Sequence, residues 1–131
     1  MREILFRGKS IDNGEWVEGC FIINKSGRCF IRFEKPALPH FFNDVLEVDP
    51  DTVGQFTGTT DKNGTKIFEG DIVEYNNENF EIEYIKGFAA FSLRSVDNMR
   101  YAPAITTITT TRMSIIGNIH DNPELLEVNN E

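Results

Sequence analysis

What is scarce in this sequence excludes a good deal. No run of about 18 apolar residues occurs, so no segment reads as a membrane-spanning helix. The amino end, MREILFRGK, has only Ile4-Leu5-Phe6 where a secretory signal needs a longer apolar region, so the expected compartment is the cytoplasm. The sequons Asn24-Lys25-Ser26 and Asn63-Gly64-Thr65 are then silent, because a cytoplasmic chain never meets the glycosylation machinery. Only two cysteines are present, Cys20 and Cys29, on either side of the turn signal NKSG at 24–27. A hairpin closed around Lys25-Ser26 sets Cys29 opposite Ile22 and leaves Cys20 a diagonal neighbour, about 7–8 Å away. That is too far for an ordinary disulfide, so two reduced and largely buried thiols are expected. There is no G-x-S-x-G, no P-loop and no C-x-x-C. The two histidines do not form a pattern: His40 lies beside Phe41-Phe42, and His120 precedes an Asp-Asn-Pro turn.

Helix signals are also few. The stretch PHFFNDVLEV, 39–48, is read as one or two turns, and Asn122-Pro123-Glu124 as the start of a short helix with an N-cap and a proline in its first turn. The Thr-rich AITTITTTR reads as a loop running into a strand, since Thr is β-branched but Ile105 and Ile108 break the alternation. The chain is fully long enough for one domain or two small β-units: 131 residues, 40% hydrophobic, with 11 Phe.

What is abundant is alternation of period two. Ile4/Phe6, Cys29/Ile31/Phe33, Phe80/Ile82/Tyr84 and Ala89/Phe91/Leu93 are strand patterns, divided by turn signals at Asp12-Asn13-Gly14, Ser26-Gly27, Asn63-Gly64, Asn76-Asn77 and Lys86-Gly87. Asn63-Gly64 reads as a type I′ hairpin turn. Short strands at this spacing point to an all-β barrel or sandwich. A soft boundary near EVDPDTVGQFTG, where Asp49-Pro50 restricts the backbone, divides an N-terminal β-region, 1–48, from a C-terminal part, 49–131. The net charge of −8 belongs to the second of these: residues 1–48 hold seven basic and seven acidic side chains, residues 49–131 six and fourteen. Such a field repels nucleic-acid phosphates and favours a basic protein or a cation.

Several chemical readings of the motifs fail on their own residues. Calcium binding by DKNG would put Thr59, Asp61, Asn63, Gly64 and Gly70 at positions one, three, five, six and twelve of an EF-hand loop, and two essential ligands are missing. No cofactor or metal is expected. RNA stacking by KGFAAFSL matches an RRM strand at Lys86, Gly87, Phe88 and Ala89 but fails at Ala90 and Leu93, where stacking aromatics belong, so Phe88 and Phe91 are assigned to the core. Trp16 reads as a sheet anchor.

Two candidate surfaces remain. If Asp71–Tyr75 pairs with Phe80–Ile85 through a short even loop, Val73, Tyr75, Phe80, Ile82 and Tyr84 share one face, while Ile72, Glu74, Glu81 and Glu83 share the other. The stripe Glu74, Glu81, Glu83 is either a solvated outer face or a docking surface for a basic partner. The basic side chains Arg2, Arg7, Arg28 and Arg32 are the candidate surface for nucleic acid.

Three pieces in order, REILFRGKSIDNGEWVEG, VDPDTVGQFTGTTDKNGTKIFEGDIVEY and IIGNIHDNPELL, resemble the YopX family of small phage and prophage proteins. The resemblance implies an SH3-type small barrel in the C-terminal part, a smaller N-terminal β-hairpin region, and a life in the bacterial cytoplasm. It brings no catalytic residues. Its motif positions here, Asp49, Pro50, Thr52, Val53, Gly54, Gly58, Asp61, Gly64, Gly70, Asp71, Ile116, Gly117 and Asn118, read as turn and barrel-closing residues, and Phe56 and Phe68 stand where typical members carry Tyr. On this view Gly70-Asp71 is the bend into the barrel and IIGNI its last strand. The expected function is a non-enzymatic accessory module that binds a host or phage protein. Nucleic-acid binding by the N-terminal part is the alternative, and a carboxylate-dependent enzyme using Glu74, Glu81 or Glu83 ranks last. Exposed hairpins allow self-association across a two-fold axis.

Overall fold

Two hairpins of this chain close on the same five-residue design. A computed structural model describes residues 2–33, 45–97 and 100–127, with backbone only at 102–104, 107 and 108. In Asn24–Arg28 the backbone closes from Asn24 N–H to the Arg28 carbonyl at 3.0 Å and from Gly27 N–H to the Asn24 carbonyl at 3.0 Å. In Asp61–Thr65 the matching bonds, Asp61 to Thr65 and Gly64 to Asp61, measure 2.9 and 3.0 Å. Each loop ends in a glycine at positive φ, Gly27 at 83° and Gly64 at 82°, a conformation that L side chains rarely adopt. In each, the Asx side chain also accepts from two loop N–H groups: Asn24 Oδ1 from Ser26 and Arg28, Asp61 Oδ1 from Asn63 and Thr65. Asn63 is not among the residues at positive φ, so the type I′ reading of Asn63-Gly64 is corrected to a three-residue loop with the glycine left-handed. The type I′ geometry occurs instead at Asn76-Asn77, with φ of 52° and 63°.

The chain divides into two compact units, Met1–Phe56 and Thr57–Glu131. In the first, β1 (Phe6–Lys9), β2 (Trp16–Ile23), β3 (Cys29–Arg32), β4 (Val45–Val48) and the start of β5 (Gly54–Thr60) form an antiparallel sheet in the order β4-β3-β2-β1-β5. Its core is Cys29, Ile31 and Val48, packed by Phe6, Val17, Phe21 and Val53. The register is Cys20↔Arg32 and Ile23↔Cys29, one residue from the expected pairing. That shift sends the two thiols to opposite faces: both are free, but Cys29 is buried and Cys20 exposed. The described part of PHFFNDVLEV, Val45–Val48, is a strand and not a helical turn, because it pairs along β3 with Cys29↔Val48 and Ile31↔Leu46; the rest of that expectation falls outside the described residues. Asp49-Pro50 opens a single 3-10 turn, Pro50–Thr52, with Asp49 accepting from Asp51 N–H at 3.0 Å.

In the second unit, residues 57–60 of β5 neighbour β6 (Lys66–Phe68), and five strands form an antiparallel sheet: β7 (Asp71–Tyr75), β8 (Glu78–Ile85), β9 (Ala90–Ser95), β10 (Tyr101–Ala104) and β11 (Ser114–Asn118), ordered β10-β9-β8-β7-β11. Ile67, Val73, Phe80, Ile82, Leu93 and Met113 make its core. Gly70, at φ 88°, bends the chain into β7, and the Asp71 carboxylate accepts the Phe68 N–H at 2.8 Å to close the turn. Two local expectations are corrected here. The Thr-rich segment makes a helical turn, Thr107–Thr110, before β11, helped by Thr109 Oγ1 donating to the Thr106 carbonyl at 2.9 Å. Phe88 is 56% exposed and is no core residue, since it lies in a 3-10 turn at the tip of the β8–β9 hairpin. The carboxyl-terminal turn forms as a 3-10 helix, Pro123–Leu126, but Asn122 does not cap it through its side chain. Asn122 Oδ1 instead accepts from Asn118 N–H at 3.2 Å. That contact needs Gly117, because a Cβ there would lie 2.5 Å from Asn122 Oδ1.

Candidate functional site

The acidic stripe is assembled by one two-residue loop. Asn76-Asn77 sets the pairings Ile72↔Glu81, Val73↔Phe80, Glu74↔Asn79 and Tyr75↔Glu78. Directly opposed residues share a face, so Glu74, Glu81 and Glu83 stand together with Ile72, as the alternation implies. Strand β9 extends the face through Glu81↔Arg94 and Glu83↔Ser92, and β10 adds Tyr101 opposite Arg94.

Glu81 and Glu83 are half-buried on this face. Ile72 and Ser92 are fully buried on it, and the Ser92 Oγ has no hydrogen-bond partner. Arg94 Nη1 donates to Glu83 Oε2 at 3.3 Å. One guanidinium therefore faces two carboxylates. Burial pushes the Glu81 carboxyl above the usual range, the Glu83 charge pushes it further, and Arg94 only partly opposes them. Glu74 is exposed at the strand end. Beside Glu81 lies a pocket of about 130 Å³, lined by Glu81, Arg94, Ser95, Val96 and Leu126. Leu126 reaches it from the 3-10 turn that Gly117 and Asn122 hold in place.

The basic candidates behave differently. Arg7 and Arg32 share the outer face of the first sheet with Lys9, Trp16, Glu18, Cys20, Ile22 and Phe30, by the pairings Arg7↔Glu18, Lys9↔Trp16, Cys20↔Arg32 and Ile22↔Phe30. Arg7 and Lys9 lie over the Trp16 ring, 4.7 and 5.4 Å from its centroid. The sheet-anchor reading of Trp16 gains a charged side here that the sequence did not signal. Arg28 makes a two-point ion pair with Glu47, at 2.9 and 2.6 Å, and its guanidinium sits over Phe30. Each partner holds the other charged: the hydrogen bond raises Arg28 and lowers Glu47. Arg2 is exposed and precedes the first strand.

One carboxylate of DKNG escaped the sequence reading as anything but a turn residue. Asp61 is 5% exposed; beyond its two loop bonds, its Oδ2 accepts the Ile115 N–H of β11 at 3.0 Å. Burial pushes its carboxyl up, but the three backbone donors outweigh burial and hold it below the ordinary value. The spacing of DKNG from IIGN gave no sign of this bond, because 54 residues separate the partners. Among the described residues no group of three or more His, Cys, Asp or Glu is arranged to hold a metal ion, and no helix is long and apolar enough to cross a membrane. His40 lies outside the described residues; His120 N–H bonds Asn118 Oδ1 at 3.0 Å within the turn after β11.

Comparison with known proteins gives a consistent answer. The family described as YopX protein matches residues 5–127. No curated protein matches. Among solved structures, the crystal structure of protein EF1440 from Enterococcus faecalis is similar at 25% identity and a TM-score of 0.58, covering 97% of this chain and 100% of that one. The X-ray structure of protein yopX from Bacillus subtilis shares the fold at 15% identity and a TM-score of 0.56, covering 99% of this chain and all of its own. With the family matched from the first strand to the last turn, the chain belongs to the YopX family.

Proposed function

We propose that this protein is a non-enzymatic accessory module of a phage or prophage, acting in the bacterial cytoplasm by binding another protein through the outer face of its second unit. The observation that carries this reading is the face itself: Glu74, Glu81 and Glu83 on one side of a sheet, with a single arginine against the last two. Residues 57–131 hold six basic and twelve acidic side chains, so the field around that face attracts a basic partner and speeds encounter with it. Arg94 and Tyr101, beside the carboxylates, are residue types that dominate protein interfaces. The strand order β10-β9-β8-β7-β11, with a helical turn before the last strand, supports the SH3-type reading of this unit, and the link from that fold to partner binding is analogy. Two free thiols on opposite faces of one hairpin suit a reducing compartment.

The test compares wild-type protein with the Glu74→Gln, Glu81→Gln, Glu83→Gln triple variant, both immobilised and exposed to extract of infected and uninfected bacterial host. A partner retained by the wild type at low salt, released by added salt and lost from the variant supports the reading. Equal capture by both, or no specific capture, contradicts it.

A second reading has one specific observation behind it. Arg7, Lys9 and Arg32 share an outer face with Trp16 and Phe30, the combination of cations and aromatic rings that single-stranded nucleic acid uses. Glu18 and Glu47 on that face weaken it. Fluorescence anisotropy with a labelled oligonucleotide at low salt separates the two readings.

A further inference from the structure

We infer that the pocket beside Glu81 receives a lysine side chain of the partner, its ammonium on the Glu81 carboxylate and its methylene stem against Val96 and Leu126; this rests on the protein-binding reading of the face. Size argues first. Sites for small molecules and cofactors enclose roughly 300–1,000 Å³, whereas this pocket holds about 130 Å³, room for the end of one side chain.

Charge argues next. Glu81, Glu83 and Arg94 sum to one net negative charge, so an entering anion meets repulsion and an entering cation removes it. Glu83 already accepts from Arg94, so among the described residues that line the pocket Glu81 supplies the carboxylate, with Arg94 beside it. A single carboxylate can take either cation, and a guanidinium would grip it at two points as Arg28 does Glu47; the small volume, about 130 Å³, is what favours a compact ammonium on a narrow stem. The apolar walls fit a lysine stem, since lysine buries its methylenes while its charge stays on a polar group.

Sequence reaches this pocket through a chain of local causes. Gly117 lets Asn122 approach, Asn122 Oδ1 ties back to Asn118, and the 3-10 turn that follows delivers Leu126 to the rim. The IIGN and NPELL signals, read alone as a strand end and a helix start, together build one wall.

The experiment is an amide NMR titration of the full chain with Nα-acetyl-lysine N-methylamide, against the norleucine analogue and the Nε-acetylated lysine. The expected result is saturable shifts at Glu81, Arg94, Ser95, Val96 and Leu126 with the lysine compound alone, and at least tenfold weaker binding to Glu81→Gln. Leu126→Ala, at a partly exposed position, tests the stem contact without touching the charge and should weaken binding several-fold. Shifts of equal size with norleucine, no saturation, or unchanged affinity in Glu81→Gln overturns the inference. Failure of the broader reading looks different: lysine binding intact while no partner is captured overturns the protein-binding function and leaves the pocket. A partner held equally by wild type and Glu81→Gln, but lost from Glu74→Gln, Glu83→Gln, overturns the pocket and leaves the function.

Discussion

The two units use the same materials to different ends. Each has an Asx-Lys-x-Gly hairpin and each has a sheet face with charged side chains. In the first unit the hairpin asparagine is exposed and the face sets Arg28 on Glu47 and two cations over Trp16. In the second the hairpin aspartate is buried and tied to a distant strand, and the face sets one arginine against two glutamates. Burial is what turns a turn residue into a staple and a surface charge into an unmet one.

The largest break of that comparison is at the staple. Asp61→Ala strips acceptors from three backbone N–H groups and should cost about 3 kcal/mol in denaturant unfolding, since each buried unsatisfied donor costs roughly 1–3 kcal/mol. The matching Asn24→Ala, in an exposed loop, should cost about 1 kcal/mol or less. Equal losses at the two sites would erase the distinction.

Next in size is the acid limb of stability. Asp61 has a folded value below its unfolded one, so its contribution is complete above the ordinary aspartate range, near pH 4, and is lost as pH falls through the lowered value. Glu81 has the opposite sign. Its folded value is raised, so the penalty of its charge is absent below the ordinary glutamate range and grows as pH rises through the folded value. Thermal unfolding of Asp61→Asn should therefore lose part of the wild-type acid sensitivity, and Glu81→Gln should be more stable than wild type near neutral pH, by about 0.5 kcal/mol. The smallest effect belongs to the first unit: Arg28→Ala should leave the thermal midpoint unchanged within error, because an exposed ion pair adds little.

Particular residues show what was legible in the sequence. The register of β7 with β8 followed from the alternation and an even loop, and Asn76-Asn77 supplied that loop. The Cys20 and Cys29 pairing was misread by one residue because the NKSG loop holds three residues, not two, and a one-residue slip moves every side chain to the other face. The same side-chain-to-backbone bonds that hide the NKSG loop length also hide the geometry of Asn63-Gly64. The Thr-rich turn escaped because local hydroxyl bonds overrode a β-branched preference. The carboxylate stripe was legible as a set of residues. Its environment was not, since the buried Ser92 and Arg94 come from β9 and the Leu126 wall from the carboxyl-terminal turn.

The most direct measurement is the pH titration of the Glu81 and Asp61 side-chain carboxyl carbons by NMR in the intact protein. The expected result is Glu81 titrating above the ordinary glutamate value and Asp61 below the ordinary aspartate value, with Glu81 moving down when the lysine compound is bound. Glu81 titrating at or below the ordinary value in the free protein would contradict the claim, because Arg94 would then already satisfy the face and leave no charge for a partner to meet.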